Sequence, residues 1–204
     1  MKLPISPNSI KGFLDEDEGR ALYLNALNSS EFGPIVEIGS YCGKSALYLG
    51  SAVKKNNQKL YSIDHHEGSE EQQIGQEYFD PDLFDKSKGK INTLPFFLNT
   101  IKEAKLEGTV IPIVSTSHKA SLDWNEQLSM VFIDGGHSMQ VAIQDFNDWN
   151  NKIKIGGILA IHDIFPNPKD GGRPPYEIYL KALKSNKFEE IEMVKTLGIL
   201  KKIK

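Results

Sequence analysis

Two groups of residues in this chain have the types and spacing to do chemistry. The first is Glu37-x-Gly39-x-x-x-Gly43-x-Ser45, set at the end of the apolar run Ile35-Val36-Glu37-Ile38. Glycines after a strand let the backbone pass close to a ligand where a Cβ would clash. A turn that opens a helix also presents N–H groups and a positive dipole end to an anion such as a carboxylate or phosphate. The second group is acidic and imidazole side chains that end later apolar runs: Asp134 and His137 in FIDGGH, and His162-Asp163 after GGILAI. Such groups at the C-terminal ends of adjacent strands can converge on one cation. A histidine with an ordinary pKa of about 6.5 accepts a proton at neutral pH. Together they suit activation of a hydroxyl by a base or a metal.

The glycine spacing is not the G-x-G-x-x-G of dinucleotide-binding folds. It is that of the glycine loop of class I S-adenosylmethionine (SAM) methyltransferases. Residues 37–46, EIGSYCGKSA, resemble the first motif of the catechol O-methyltransferase family, ELGAYCGYSA. Residues 132–163, FIDGGHSMQVAIQDFNDWNNKIKIGGILAIHD, resemble the macrocin-type sugar O-methyltransferases, whose pattern is FIDG-x-H, a spaced Asp and Trp, then GG and HD. With the strands between and after them, the resemblance spans roughly residues 30–204. It implies an α/β fold: a Rossmann-like, doubly wound, mostly parallel seven-stranded sheet ending in an antiparallel hairpin. It implies SAM as cofactor and the hydroxyl of a small molecule as acceptor. A protein that keeps the fold and has lost catalysis, or a methyltransferase acting on nucleic acid or protein, is the alternative.

Around the cofactor this reading places Glu37, Gly39, Ser40, Gly43, Ser45, Asp64, Ser117 and Asp134. The two glycines line the methionine end, Ser45 and the helix N–H groups take its carboxylate, and Glu37 organises its ammonium. Asp64 ends the second strand, where doubly wound folds place an acid for ribose hydroxyls. Ser117 corresponds to an adenine contact in the catechol-type family, with a helix cap as the other reading; His118 is the weaker candidate. The catechol-type positions Asp, Asp and Asn that bind a divalent metal read here as Asp134, His162 and Asp163. An imidazole in that set widens the choice from magnesium to manganese, iron or zinc; His162 pointing away would leave two carboxylates. The family's base lysine is replaced by His137, as in the macrocin-type group, or His137 caps the helix that follows. Asp145 and Trp149 match the macrocin pattern, with a structural role open. Cys42 reads as a small packed residue and Lys44 as solvent-facing. His65 and His66 are assigned no more than a substrate contact, and Arg173 either holds an anionic acceptor or pairs with a carboxylate.

The elements that must position these groups alternate. Strands are expected at 35–39, 59–64, 109–115, 129–134 and 156–162, and helices near 43–56, 94–107, 138–152 and 174–186. An amphipathic helix over 14–29 precedes them, with Leu14, Ala21, Leu22, Leu24 and Leu27 apolar. The tail, FEEIEMVKTLGILKK, reads as a hairpin. Alternating β and α units argue for a parallel sheet covered on both faces. Residues 65–93 are polar and aperiodic and follow the second strand. They read as a lid or substrate-binding insertion, or as a mobile surface excursion.

At 204 residues a single domain is expected, 1–204. Net charge is −3 and the pI about 6.0, so there is no bulk basic field for nucleic acid. No apolar run approaches the roughly 20 residues that span a bilayer, and the N-terminus lacks the apolar stretch of a secretory signal. The single cysteine permits no intrachain disulfide and fits a reducing cytoplasm. Homo-oligomer formation stays open.

Overall fold

The computed structural model describes residues 1–136 and 138–204. Its centre is a seven-stranded sheet in the order β5-β2-β1-β6-β7-β9-β8. The strands are β1 (Ile35–Ile38), β2 (Leu60–Asp64), β5 (Val110–Val114), β6 (Leu128–Ile133), β7 (Ile153–Ile161), β8 (Phe188–Val194) and β9 (Leu197–Lys202). The first five are parallel; β9 runs antiparallel to β7, and β8 to β9. Strand order reverses between β1 and β6, and the crevice beyond their C-terminal ends is where open α/β sheets bind ligands.

Why β1 reads as a continuous apolar run is plain from its two faces. Ile35 packs into one core with Leu60, Met130 and Phe132, while Val36 and Ile38 pack into the other with Ile63, Val131 and Ile133. Both faces are covered, so alternate residues cannot be polar without cost. Glu37 is the exception, a carboxylate buried on the first face. That face is covered by α1 (Glu16–Ser29), α2 (Lys44–Val53) and α3 (Leu94–Glu103); the other carries α4 (Ser117–Leu122), α5 (Met139–Trp149) and α6 (Pro174–Lys184).

Several expectations need correction. α1 starts at Glu16, because Asp15 is its N-cap in a capping box with Glu18. Leu14 is buried ahead of the helix, and Leu24 faces solvent. β7 starts three residues before the expected 156, with Gly156 at φ +82° where the pairing with β6 shifts register. α4 had no periodic signature, being only six residues, and Thr116, not Ser117, caps it.

Residues 65–93 are not a featureless excursion. They fold into two 3₁₀ turns and a two-strand hairpin, β3 (Phe84–Asp85) with β4 (Lys90–Ile91). Leu83 and Ile91 are buried, and Phe79 and Phe84 pack on the core beside them. Strands two residues long leave no readable period, which is why the segment looked aperiodic.

Candidate functional site

The turn after β1 is shaped by backbone contacts. Gly39 has φ +83°, and a Cβ there would lie 2.0 Å from the Asp134 carbonyl oxygen. The glycine is thus required by the end of β6 crossing beneath it, and not only by a ligand. Gly43, at φ +92°, is the N-cap of α2 and sits against Phe97 and Thr100. Tyr41 holds the left-handed conformation without being glycine. Asp64 stabilises it: Oδ2 accepts the N–H groups of Ser40 (3.0 Å) and Tyr41 (2.9 Å), and Oδ1 that of His66 (2.7 Å). The residue expected at the ribose is therefore also the clamp of the glycine turn. Cys42 is buried, and burial pushes its thiol up to about 12, so it is inert. Lys44 is half-buried; its Nζ donates to the Gly12 carbonyl (2.7 Å) and ties the N-terminal segment to α2.

Among the described residues, four buried side-chain polar atoms make no hydrogen bond, and three of them surround this turn: Glu37 Oε1, Ser40 Oγ and His66 Nε2. Buried polar groups are ordinarily paired, so such a cluster marks a place for a ligand. Glu37 Oε2 accepts the Ser62 hydroxyl (2.7 Å). Burial raises the Glu37 carboxyl to about 8, with Ser45 and Ser62 opposing and Asp134 and Asp64 adding to the rise. A cation such as an ammonium would restore its charge. The Ser45 side chain is buried, with its hydroxyl on the Glu37 carboxylate.

Across the switch point, Asp134, His162 and Asp163 each present one ligand atom, all within 4.8 Å of one another. The polypeptide brings them there through β6 and β7: Asp134 N donates to Ile38 O, and His162 N to Ile133 O. His162 is buried, with Nδ1 3.1 Å from Asp134 Oδ1 and 3.5 Å from Asp163 Oδ1. Its Nε2 lies 3.0 Å from Oε2 of Glu18. Burial would lower the imidazole pKa, but Asp134 and then Glu18 and Asp163 raise it strongly. Without a metal these carboxylates thus favour the protonated ring. Two half-buried carboxylates and an imidazole nitrogen turned toward them fit a divalent ion that tolerates nitrogen, once Nδ1 gives up its proton. His137 lies outside the described residues. The α5 N-cap is Ser138, whose side chain accepts from Val141 N.

Residues 36–164 match the family model of a methyltransferase domain. The chain belongs to that family. It is a SAM-dependent methyltransferase with the class I, Rossmann-like fold. The fold is shared with the O-methyltransferase TomG of Streptomyces achromogenes in complex with SAM (15% identity, TM-score 0.66, covering 94% of this chain and 82% of that one). It is shared with an O-methyltransferase of Bacillus cereus in complex with SAH (12%, 0.66, 97% and 86%). It is shared too with an rRNA methylase of Streptococcus thermophilus (13%, 0.59, 95% and 100%). At these identities the likeness is one of fold.

At the start of α4, Ser117 is engaged within the protein. Its Oγ accepts the Trp149 indole N–H (2.8 Å) and its hydroxyl serves buried Asp145, whose carboxyl burial raises to about 6. Asp145 Oδ2 in turn closes on Gly135, 2.9 Å from where a Cβ would stand. This trio explains Asp145 and Trp149 as supports of the β5 and β6 ends. His118 pairs with Asp148 at the surface (2.9 Å).

Beside the glycine turn, the methyltransferase has a cleft of about 380 Å³, lined by Lys11–Phe13, Tyr41 and residues 77–81. Phe13 meets Tyr78 edge-on (5.3 Å) and Tyr41 at 6.1 Å. Lys11 joins the two sides, reaching Asp80 (2.5 Å) and Asp82 (2.9 Å). The N-terminal segment and the 65–93 insertion thus form two walls, a partnership with no signal in either stretch alone. Other open residues resolve away from the cleft. Arg173 pairs with Glu177 (2.6 Å) and stacks on Tyr176, His65 Nδ1 accepts Glu67 N, and His66 is buried against Thr93 and Phe97. Among the described residues no helix is long and apolar enough to cross a membrane.

Proposed function

We propose that this enzyme, acting as one domain over residues 1–204, moves the SAM methyl group to a hydroxyl oxygen of a small molecule. A divalent cation at Asp134, His162 and Asp163 and His137 as general base complete the proposal. The observation that carries it is the convergence of three ligand atoms at the strand edge beside the glycine turn. SAM, when bound, supplies an electrophilic methyl carbon on a sulfonium, open to in-line displacement. A divalent cation, when bound, lowers the pKa of a hydroxyl held next to it.

The chain's own residues do the rest. Glu37 Oε1 takes the cofactor's ammonium, and the α2 N-terminus with Ser40 takes its carboxylate. Asp64 keeps the turn in shape and offers its remaining lone pairs to the ribose. Adenine recognition falls to the backbone that follows β5, since the Ser117 hydroxyl is engaged elsewhere. The cleft between Phe13 and Tyr78 orients the acceptor and keeps water from it. His137 takes the acceptor proton on its imidazole.

The O-methyltransferases among the structurally similar proteins support this reading. An RNA acceptor has the rRNA methylase in its favour, but a chain of net charge −3 offers no bulk attraction to a polyanion. The test is transfer of labelled methyl from SAM to panels of phenols, sugars and rRNA fragments, in chelator and with manganese restored. Transfer to a small hydroxylated acceptor that falls with chelator and returns with metal is expected. Transfer to RNA alone, or full turnover in chelator, overturns the corresponding part.

A further inference from the structure

Glu18 lies outside every motif that points to the reaction, yet its carboxylate is the hub of the catalytic edge. It is buried in the first turn of α1. Oε1 accepts two hydrogen bonds from Thr196 in the β8–β9 turn, from the backbone N–H (2.9 Å) and from the hydroxyl (2.7 Å). Oε2 accepts the Asp15 N–H (3.2 Å) and faces His162 Nε2 (3.0 Å). These partners join three chain segments separated by 144 and 178 residues.

An ionised carboxylate only accepts, so Nε2 facing Glu18 carries a proton, as Nδ1 facing Asp134 does while the ring is charged. With Nε2 so assigned, a neutral His162 has its lone pair on Nδ1, and Nδ1 is the nitrogen beside Asp134 and Asp163. A carboxylate behind a metal-binding histidine fixes the ring's tautomer and rotation in this way. We propose that Glu18 is the positioning residue of this methyltransferase, holding the His162 ring with Nε2–H toward α1 and Nδ1 toward the Asp134–Asp163 pair. The metal-affinity half of its consequence rests on the proposed cation site; the orientation of the ring does not.

Glu18→Gln is the informative variant. The Thr196 N–H needs an acceptor, so the Gln oxygen turns to Thr196 and its amide NH₂ to His162, setting donor against donor. In the wild-type protein a nitrogen–proton correlation spectrum should show a His162 Nε2 proton that exchanges slowly, its signal assigned by loss in His162→Asn. In Glu18→Gln that protection should disappear, and manganese(II) affinity, read by electron paramagnetic resonance, should fall about 10–100-fold. SAM affinity by calorimetry should hold within a few fold. Thr196→Val, which removes one hydroxyl contact and leaves the ring untouched, should keep both the protected proton and the metal affinity. A folded Glu18→Gln with a protected Nε2 proton and unchanged manganese binding overturns the proposal, as does an equal loss in Thr196→Val. If wild-type protein binds no metal, the cation site falls, while the Nε2 proton still decides the role of Glu18.

Discussion

The proposed cofactor half of the sheet edge and its proposed acceptor half are assembled by different means. β1, the glycine turn and α2 follow one another without interruption, and Asp64, the clamp on the turn, ends the neighbouring strand. The acceptor half depends on side chains reaching across the chain. Lys11 meets Asp80 over 69 residues, and Glu18 meets His162 over 144. The first half is backbone geometry imposed by the sheet; the second is a set of contacts that individual side chains make or lose. Damage to one should therefore be separable from damage to the other, except where they touch, at Gly39 over Asp134.

The largest effect is expected at that junction. Gly39→Ala puts a Cβ 2.0 Å from a backbone oxygen at φ +83°, where neither partner can yield cheaply. We expect loss of about 3 kcal/mol or more of stability and loss of SAM binding, measured by denaturant unfolding and calorimetry. Wild-type stability there would mean that the halves are not locked together.

Next is His137→Ala, expected to lower kcat by about 10²–10⁴ while SAM affinity stays within a few fold. Near-wild-type kcat across neutral pH would give the proton to another group.

On the cofactor side, Glu37 should make binding pH-dependent. Burial holds its carboxyl at about 8 against an ordinary 4.5, so it is neutral in the free protein at pH 7. An ammonium favours the charged form. SAM affinity should thus rise by up to about tenfold per pH unit toward pH 8 and then level off, with release of a proton. Calorimetry in buffers of different ionisation enthalpy reads this directly. The sign for the free protein is opposite. Between 4.5 and about 8 the folded chain keeps a proton that the unfolded chain loses, so stability falls as pH rises through that window. Binding without proton exchange would remove Glu37 from the ammonium.

Smaller effects belong to the cleft. Phe13→Ala or Tyr78→Ala should raise the acceptor KM by about three- to tenfold, the worth of an aromatic contact, with SAM affinity unchanged. Lys11→Met, which opens the two partly exposed ion pairs, should cost at most about 1 kcal/mol of stability. A larger loss of SAM affinity than of acceptor affinity in any of these would blur the distinction between the halves.

The legibility of the molecule follows the same division. The parallel strands and the helices that cover them show in the residues because burial on both faces demands continuous apolar runs, and turns at strand ends demand glycine or acid. The pairing of Asp134 with His162 and Asp163 was readable because neighbouring parallel strands carry their last residues to one edge. The internal partners of Ser45 and Ser117 were not legible, for a shared reason. Position relative to a helix start says where a hydroxyl is, but not which buried carboxylate or indole it will turn to. The 65–93 segment was opaque because two-residue strands leave no period.

The order of residue types along the chain was enough to determine the sheet, the glycine turn and the family, since each rests on backbone conformation and periodic burial that neighbouring residues encode together. Tertiary structure alone decided that Glu18 holds His162, that Asp64 clamps the turn, and that Lys11 and Phe13 face Asp80 and Tyr78. A buried carboxylate takes whichever donors the fold brings within reach. Those donors sit in segments whose separation along the chain carries no periodic or local trace.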